Sequence, residues 1–154
     1  MDYEKLRELR NEQNVFGDLA GVRIVEIREG YARTELEVRP ELLNPIGSLH
    51  GGCLFTMADI TGGSAAVSHG DQVTTADADI RYLRPGINVK KLTAESREIK
   101  KGKNLLVYQV EVRDEKETLL AVATLSYMSL HQKIELFYSK EGVKFSVSMG
   151  KNLL

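Results

Sequence analysis

The sequence predicts an α+β domain in which an antiparallel β-sheet wraps around one long, buried central helix. The helix is predicted at residues 51–69, a stretch that lacks Lys, Arg, Glu and Pro and whose apolar side chains surround a helical wheel. The segments before and after it alternate polar and apolar residues, as half-buried strands do. Several strands on one side of a single apolar helix imply an antiparallel sheet curved around it.

The other elements follow from periodicity and turn residues. Apolar spacing predicts a short amphipathic helix at residues 3–13 that caps the domain. Six strands are predicted at residues 19–27, 32–39, 73–83, 91–100, 105–113 and 119–130. We assign residues 1–131 to one domain, with residues 1–14 as its N-terminal helix. Residues 132–154 alternate on either side of a Ser-Lys-Glu-Gly turn, and form either an extra hairpin or a flexible extension.

Composition narrows the class of protein and its partners. A chain of 154 residues is the size of one domain with a real core. A net charge of -1 gives no reason to expect nucleic acid or a membrane surface as partner. One cysteine and three separated histidines provide neither a disulfide nor metal-ligand spacing, so no metal or cofactor is expected. The charged N-terminus and the lack of a long apolar segment predict a cytoplasmic protein.

Asp59 is the only acid in the predicted central helix. A carboxylate among apolar neighbours is unfavourable unless it is paired, protonated or used, and such acids cluster at functional sites. Gly51 begins the same helix, where free N–H groups can hold an oxyanion. The two positions are roughly 12 Å apart along one helix, too far to act on the same atom. Two helices packed antiparallel across a two-fold axis would bring Gly51 of one chain to Asp59 of the other.

Two motifs carry a resemblance to a known family. The first is Asn44-Pro45-x-Gly47-x-x-His50-Gly51-Gly52, with Asp59 seven residues beyond Gly52. The second is Thr74-Thr75-Ala76-Asp77-x-x-Ile-x-Tyr82-Leu83-Arg84-Pro85. Together they resemble the hotdog-fold acyl-CoA thioesterases, specifically the branch that contains the phenylacetate-pathway enzymes, over about residues 15 to 130. The resemblance implies a hotdog fold, hydrolysis of acyl-CoA thioesters, and self-association as a homodimer that pairs into a dimer of dimers, a homotetramer.

The resemblance also implies roles for individual residues. Asn44 and the Gly51 N–H would face the thioester carbonyl, and His50 would hold the loop or assist near the leaving sulfur. Asp59 of the partner subunit's helix would activate water or attack directly, and Thr75 would help to hold that water. The residues expected to bind substrate or coenzyme A are Gly52, Leu54, Phe55 and Arg84.

Other readings of these residues stay open on sequence alone. Asn44 precedes a proline, so it could simply cap a turn, and His50 could serve only to satisfy backbone groups at the helix start. A Cys53–His50 nucleophilic pair is disfavoured, because a small thiol in an apolar helix usually serves packing. The alternative function is a non-catalytic acyl-CoA binding or sensor protein on the same fold. Neither the preferred acyl group nor the choice between base and nucleophile for Asp59 follows from the sequence.

Overall fold

The computed structural model describes the backbone of residues 1–139 and 142–147 and the side chains of residues 1–136. The helices are α1 (Tyr3–Gln13), α2 (Val15–Ala20) and α3 (Gly51–Val67), with a short 3-10 turn at Pro40–Leu42. The strands are β1 (Val22–Arg28), β2 (Tyr31–Glu37), β3 (Asp71–Tyr82), β4 (Lys91–Lys101), β5 (Leu105–Asp114), β6 (Leu119–Ser139) and β7 (Gly142–Val147).

The strands form an antiparallel sheet in the order β1-β2-β4-β5-β6-β3, and β7 pairs with the distal part of β6. Helix α3 contacts every strand from β1 to β6, so the sheet curls around it. The inward residues of the strands alternate with outward ones, as at Ala32, Thr34 and Leu36 of β2, all of which are buried. The predicted α+β arrangement, a sheet wrapped around one central helix, is confirmed.

The N-terminal region contains one departure from prediction. Residues 19 and 20 were expected to begin the first strand, but they end α2, which is a separate helix. The Asn14 side chain accepts a hydrogen bond from the Gly17 N–H at 3.0 Å and thereby caps α2. Gly21, with a φ of 81°, then ends the helix in the left-handed conformation. The capping residues at both ends outweigh the apolar, strand-like composition of this stretch.

Helix α3 is less buried than its composition predicts. Most of its side chains are buried, including Met57 and Ala58, which are fully enclosed. Gly52 and Phe55, however, are exposed, and Thr56 and Asp59 are half-buried. Phe55, Thr56 and Asp59 follow Gly52 by three, four and seven residues, so the four residues form one stripe along the helix. The expectation of a helix buried on all sides is therefore wrong for this stripe, which the chain's own sheet leaves uncovered.

The two edges of the sheet differ in how they are covered. At the β1 edge, the Asn11 amide of α1 donates to the Ile24 carbonyl and accepts from the Ile24 N–H, each at 2.9 Å. That side chain takes the place of a neighbouring strand. At the opposite edge, residues 74–77 in the middle of β3 are exposed. An uncovered edge strand is a template for pairing with another chain.

Candidate active site

The start of α3 is built by a local loop. The His50 N–H donates to the Leu42 carbonyl at 2.8 Å, and Leu43 bridges to Leu49, so the chain returns on itself just before the helix. His50 is the N-cap of α3, and its Nδ1 accepts the Gly52 N–H at 2.9 Å. With Nδ1 as an acceptor, the neutral ring carries its proton on Nε2. The His50 ring therefore accepts a backbone N–H at the helix start, and the Gly52 N–H is already used.

Gly51 differs from Gly52 in having a free donor. Among the described residues, the Gly51 N–H has no hydrogen-bond acceptor. Its carbonyl accepts the Tyr82 hydroxyl at 3.0 Å. A Cβ at position 51 would lie 3.1 Å from Tyr82 Cζ, so the exposed tyrosine ring packs closely against the start of the helix. The first N–H of a helix carries the positive end of its dipole, which suits a developing oxyanion.

A groove of about 340 Å³ opens beside Gly51. Leu54 and Arg84, both expected to bind substrate, line it together with Tyr82. The Arg84 guanidinium donates to the Leu119 carbonyl at 2.9 Å, which holds this exposed cation at the groove. Phe55, in contrast, does not line this groove but lies on the exposed stripe of α3.

Asn44 shapes the loop through its amide oxygen and leaves its amide N–H groups without an acceptor among the described residues. Its Oδ1 accepts the N–H groups of Ile46 at 3.1 Å and of Ser48 at 3.0 Å. Because both backbone groups are donors, the amide oxygen must face them, and the Nδ2 group points away from the turn. No acceptor binds Nδ2 among the described residues. The turn role of Asn44 is therefore observed, and its amide hydrogens stay available to a ligand.

Asp59 lies in a second cluster made by three elements. Its Oδ1 accepts the Thr75 hydroxyl of β3 at 2.8 Å. The Tyr127 hydroxyl of β6 donates to the Asp59 backbone carbonyl at 3.0 Å and lies 3.4 Å from Oδ1. Burial, reinforced by the Asp59 charge, raises the pKa of Tyr127 far above its usual range, so this hydroxyl stays a donor. In the described part of the chain, Oδ2 of Asp59 makes no hydrogen bond.

A polar cleft of about 150 Å³ opens on Asp59. Its walls come from α1, α3, β3 and β6 and from the residue between the first two helices. They comprise Arg10, Asn14, Ile60, Gly63, Val73, Thr75 and Tyr127. The cleft shares no residue with the groove beside Gly51. Within one chain, the two predicted halves of the site therefore open into different cavities.

The sequence alone marks no role for Tyr127, Arg10 and Asn14. Tyr127 lies within the strand predicted at residues 119–130, and Arg10 is one of several charged residues in an amphipathic helix. These three residues are far from Asp59 along the chain, so no local sequence pattern indicates that they lie beside it in the fold. Cys53 is buried, and burial raises the pKa of its thiol against the smaller effect of Arg39, so its nucleophilic form is disfavoured.

Two further observations concern the described residues as a whole. Within them, no group of three or more His, Cys, Asp or Glu side chains is placed to hold a metal ion. None of their helices is both long and apolar enough to cross a membrane.

A curled antiparallel sheet around one central helix is the architecture of the hotdog fold. Residues 46–121 match the family model described as the thioesterase superfamily. The chain belongs to this family and is a thioester hydrolase.

Individual relatives agree with the assignment. The acyl-coenzyme A thioesterase PaaI of Escherichia coli is 31% identical over 111 residues, which cover 72% of this chain and 79% of the relative. The solved structure of the E. coli PaaI protein, from the phenylacetic acid degradation operon, matches with a TM-score of 0.79 and 26% identity over 85% of this chain and 97% of that one. A Streptococcus mutans protein solved bound to acetyl-CoA has a TM-score of 0.67 and 28% identity, covering 70% of this chain and 87% of that one.

Proposed function

We propose that the protein hydrolyses acyl-CoA thioesters at a site shared by two subunits. The observation that carries the proposal is the separation of complementary groups: the free Gly51 N–H opens into one cavity and the Asp59 carboxylate into another. One helix holds both, roughly 12 Å apart. Neither half has the partner that acyl transfer needs, and a second copy in an antiparallel arrangement would supply it.

The Gly51 half would polarise the thioester carbonyl. The Gly51 N–H and the Asn44 Nδ2 group are two donors without an acceptor in the described residues, and both belong to the loop that begins α3. Donors held in place before the reaction stabilise the negative charge that develops on the carbonyl oxygen. His50 would act mainly by holding the helix start, with its Nε2–H left to face the leaving sulfur.

The Asp59 half would supply the attacking group. Thr75 and Tyr127 hold the carboxylate through Oδ1, so Oδ2 is the oxygen left to take a proton from water or to attack the carbonyl carbon. Single-turnover hydrolysis in heavy-oxygen water tests the nucleophilic route. Label in the carboxylate of Asp59 after turnover would indicate a covalent anhydride that water opens at the aspartyl carbon, whereas label only in the product acid would show that water attacked the acyl carbon.

Two features of the chain support a dimer. The uncovered stripe of α3 contains Phe55 and Asp59, and the uncovered edge strand β3 contains Thr75. Both surfaces therefore carry or adjoin the proposed catalytic groups. Pairing β3 with its copy would continue the sheet and bury the stripe. Analytical ultracentrifugation would distinguish a dimer from the dimer of dimers that the family resemblance implies.

Coenzyme A would lie in the groove beside Gly51. The groove contains an exposed arginine, Arg84, and apolar walls such as Leu54, which suit phosphate and pantetheine respectively. The relative solved with acetyl-CoA supports coenzyme A as the carrier. The direct test is release of free thiol from a panel of acyl-CoA esters by the purified protein. Absence of release from every ester would refute the proposal.

The shared site is tested by mixing two inactive variants. Gly51→Pro removes the N–H, and His50 already has the extended conformation (φ -67°, ψ 133°) that a residue before proline prefers. Asp59→Asn removes the base. A mixed dimer of the two variants contains one site with both halves intact, so we expect activity to reappear on subunit exchange. No recovery despite proven exchange would place the whole site within one chain.

A further inference from the structure

Arg10 is a half-buried cation whose side chain has no hydrogen-bond or ion-pair partner among the described residues. It lies on α1 close to Leu6 and Leu9, which are buried, and its Nε atom is buried without a hydrogen bond. In the described part of the chain, its guanidinium makes no ion pair. Arg7, one turn earlier, shows the contrast: it pairs with Glu4 at 2.8 Å and remains partly exposed. A buried N–H without an acceptor is unfavourable, so a use for the Arg10 guanidinium is to be expected.

The guanidinium forms one end of the cleft that contains Asp59. Arg10 Nη2 lies 3.8 Å from the position that a Cβ on Gly63 would occupy. Gly63 follows Asp59 by four residues, roughly 6 Å along the helix axis. The absence of a side chain at Gly63 keeps the space between the two charged groups open. The cleft thus contains both the proposed catalytic carboxylate and a cation without a partner among the described residues.

Asp59 does not neutralise Arg10 by contact. Thr75 occupies Oδ1 of Asp59, and no hydrogen bond joins the two charged side chains. Burial lowers the pKa of Arg10, and Tyr127 and Asp59 oppose that shift only through charge. Arginine nevertheless stays protonated in proteins, and its planar fork matches a carboxylate with two parallel hydrogen bonds. The neighbouring Asn14 and Tyr127 make the walls polar, which suits an oxygen-bearing ligand better than a hydrocarbon.

We propose that Arg10 determines the acyl specificity of this enzyme and that the preferred acyl group ends in a carboxylate. This inference rests on the proposed function, because it places the acyl chain in the Asp59 cleft. With the thioester carbonyl at Asp59, a short chain running past Gly63 brings its terminal carboxylate to the guanidinium. The bound carboxylate then supplies the acceptors that the free protein lacks at Arg10.

The test compares glutaryl-CoA with hexanoyl-CoA, a charged and an uncharged ester of similar length. We expect the wild-type protein to have the higher kcat/KM for glutaryl-CoA. Arg10→Met keeps the length of the side chain but removes its charge and donors, and should change the ratio of the two kcat/KM values by at least about 10²-fold towards hexanoyl-CoA. Arg7→Met is the matched control: it removes a cation from the same helix outside the cleft and should leave the ratio unchanged.

Thermal unfolding of the same variants provides a second readout. If Arg10 serves substrate binding, Arg10→Met should unfold at the same temperature as the wild type or higher, because a buried N–H without an acceptor is gone. A large drop in melting temperature, with the substrate ratio unchanged, would make Arg10 a structural residue and overturn the proposal.

The ratio of the kcat/KM values for glutaryl-CoA and hexanoyl-CoA, measured on the wild-type protein alone, is also decisive. Preference of the wild-type protein for hexanoyl-CoA would overturn the specificity proposal while leaving thioester hydrolysis intact. Failure to hydrolyse either ester, or any other ester of the panel, would instead refute the proposed function itself.

Discussion

The two halves of the proposed site are constructed differently. The Gly51 half consists of neighbours in sequence: Asn44 holds the turn through Ile46 and Ser48, and His50 caps the helix. The Asp59 half joins side chains from distant parts of the chain, with Thr75 and Tyr127 on different strands. The first half depends on local turn chemistry and the second on the register of the sheet. Substitutions should therefore affect the first through the loop and the second through tertiary packing.

The largest effect is expected at the Asp59 half. Asp59→Asn keeps the shape of the side chain but removes its basicity, so kcat should fall by roughly 10²- to 10⁴-fold with little change in KM. Steady-state kinetics on a good acyl-CoA ester, with circular dichroism to verify folding, measures this effect. A rate near that of the wild type would exclude Asp59 as base or nucleophile.

At the Gly51 half, Asn44→Ala removes both the turn acceptor and the proposed oxyanion donor. Loss of one such donor usually lowers kcat by about 10²- to 10³-fold, and loss of the Oδ1 contacts should lower the melting temperature as well. Asn44→Asp separates the two effects, since it retains acceptors for Ile46 and Ser48 but has no amide donor. If Asn44→Asp kept full kcat, Asn44 would be a turn residue alone.

A pair of adjacent glycines tests the packing around Asp59. A Cβ at Gly62 would lie 2.5 Å from the Tyr127 hydroxyl, whereas a Cβ at Gly63 would lie 3.5 Å from its nearest neighbour, the Tyr127 ring. We expect Gly62→Ala to destabilise the fold by about 1–3 kcal/mol through overpacking. Gly63→Ala should be neutral or slightly stabilising, because alanine favours the helix. Equal melting temperatures for both variants would contradict the position of Tyr127.

The smallest effect is expected from the hydroxyl beside the carboxylate. Thr75→Val removes the hydrogen bond to Asp59 Oδ1 without changing side-chain shape, so kcat should fall by about tenfold, as expected for one hydrogen bond to a charged group. Thr75→Ser should restore the rate. Thr74→Val is the control on the neighbouring position of the same strand. A similar loss in both valine variants would point to disturbance of β3 and not to the hydrogen bond.

Much of the fold could be predicted because its signals are periodic. The alternation in residues 32–39 is reproduced by burial, and the central helix begins at Gly51 as expected. The error at residues 19 and 20 arose because a six-residue helix is too short to show a period, and its capping residues Asn14 and Gly21 decided its structure. The exposed stripe of α3 escaped prediction for another reason: composition cannot tell which face of an apolar helix the sheet leaves uncovered.

The sequence by itself determined the groups of the Gly51 half and the identity of the single acid on α3, because turn, cap and helix start depend on contacts within a few residues. Tertiary structure alone decided which side chains surround that acid. Tyr127 and Arg10 reach the Asp59 cleft only once β6 and α1 are packed against α3. Such contacts depend on the register of strands and the docking of a helix, which involve many residues at once and leave no local pattern in the chain.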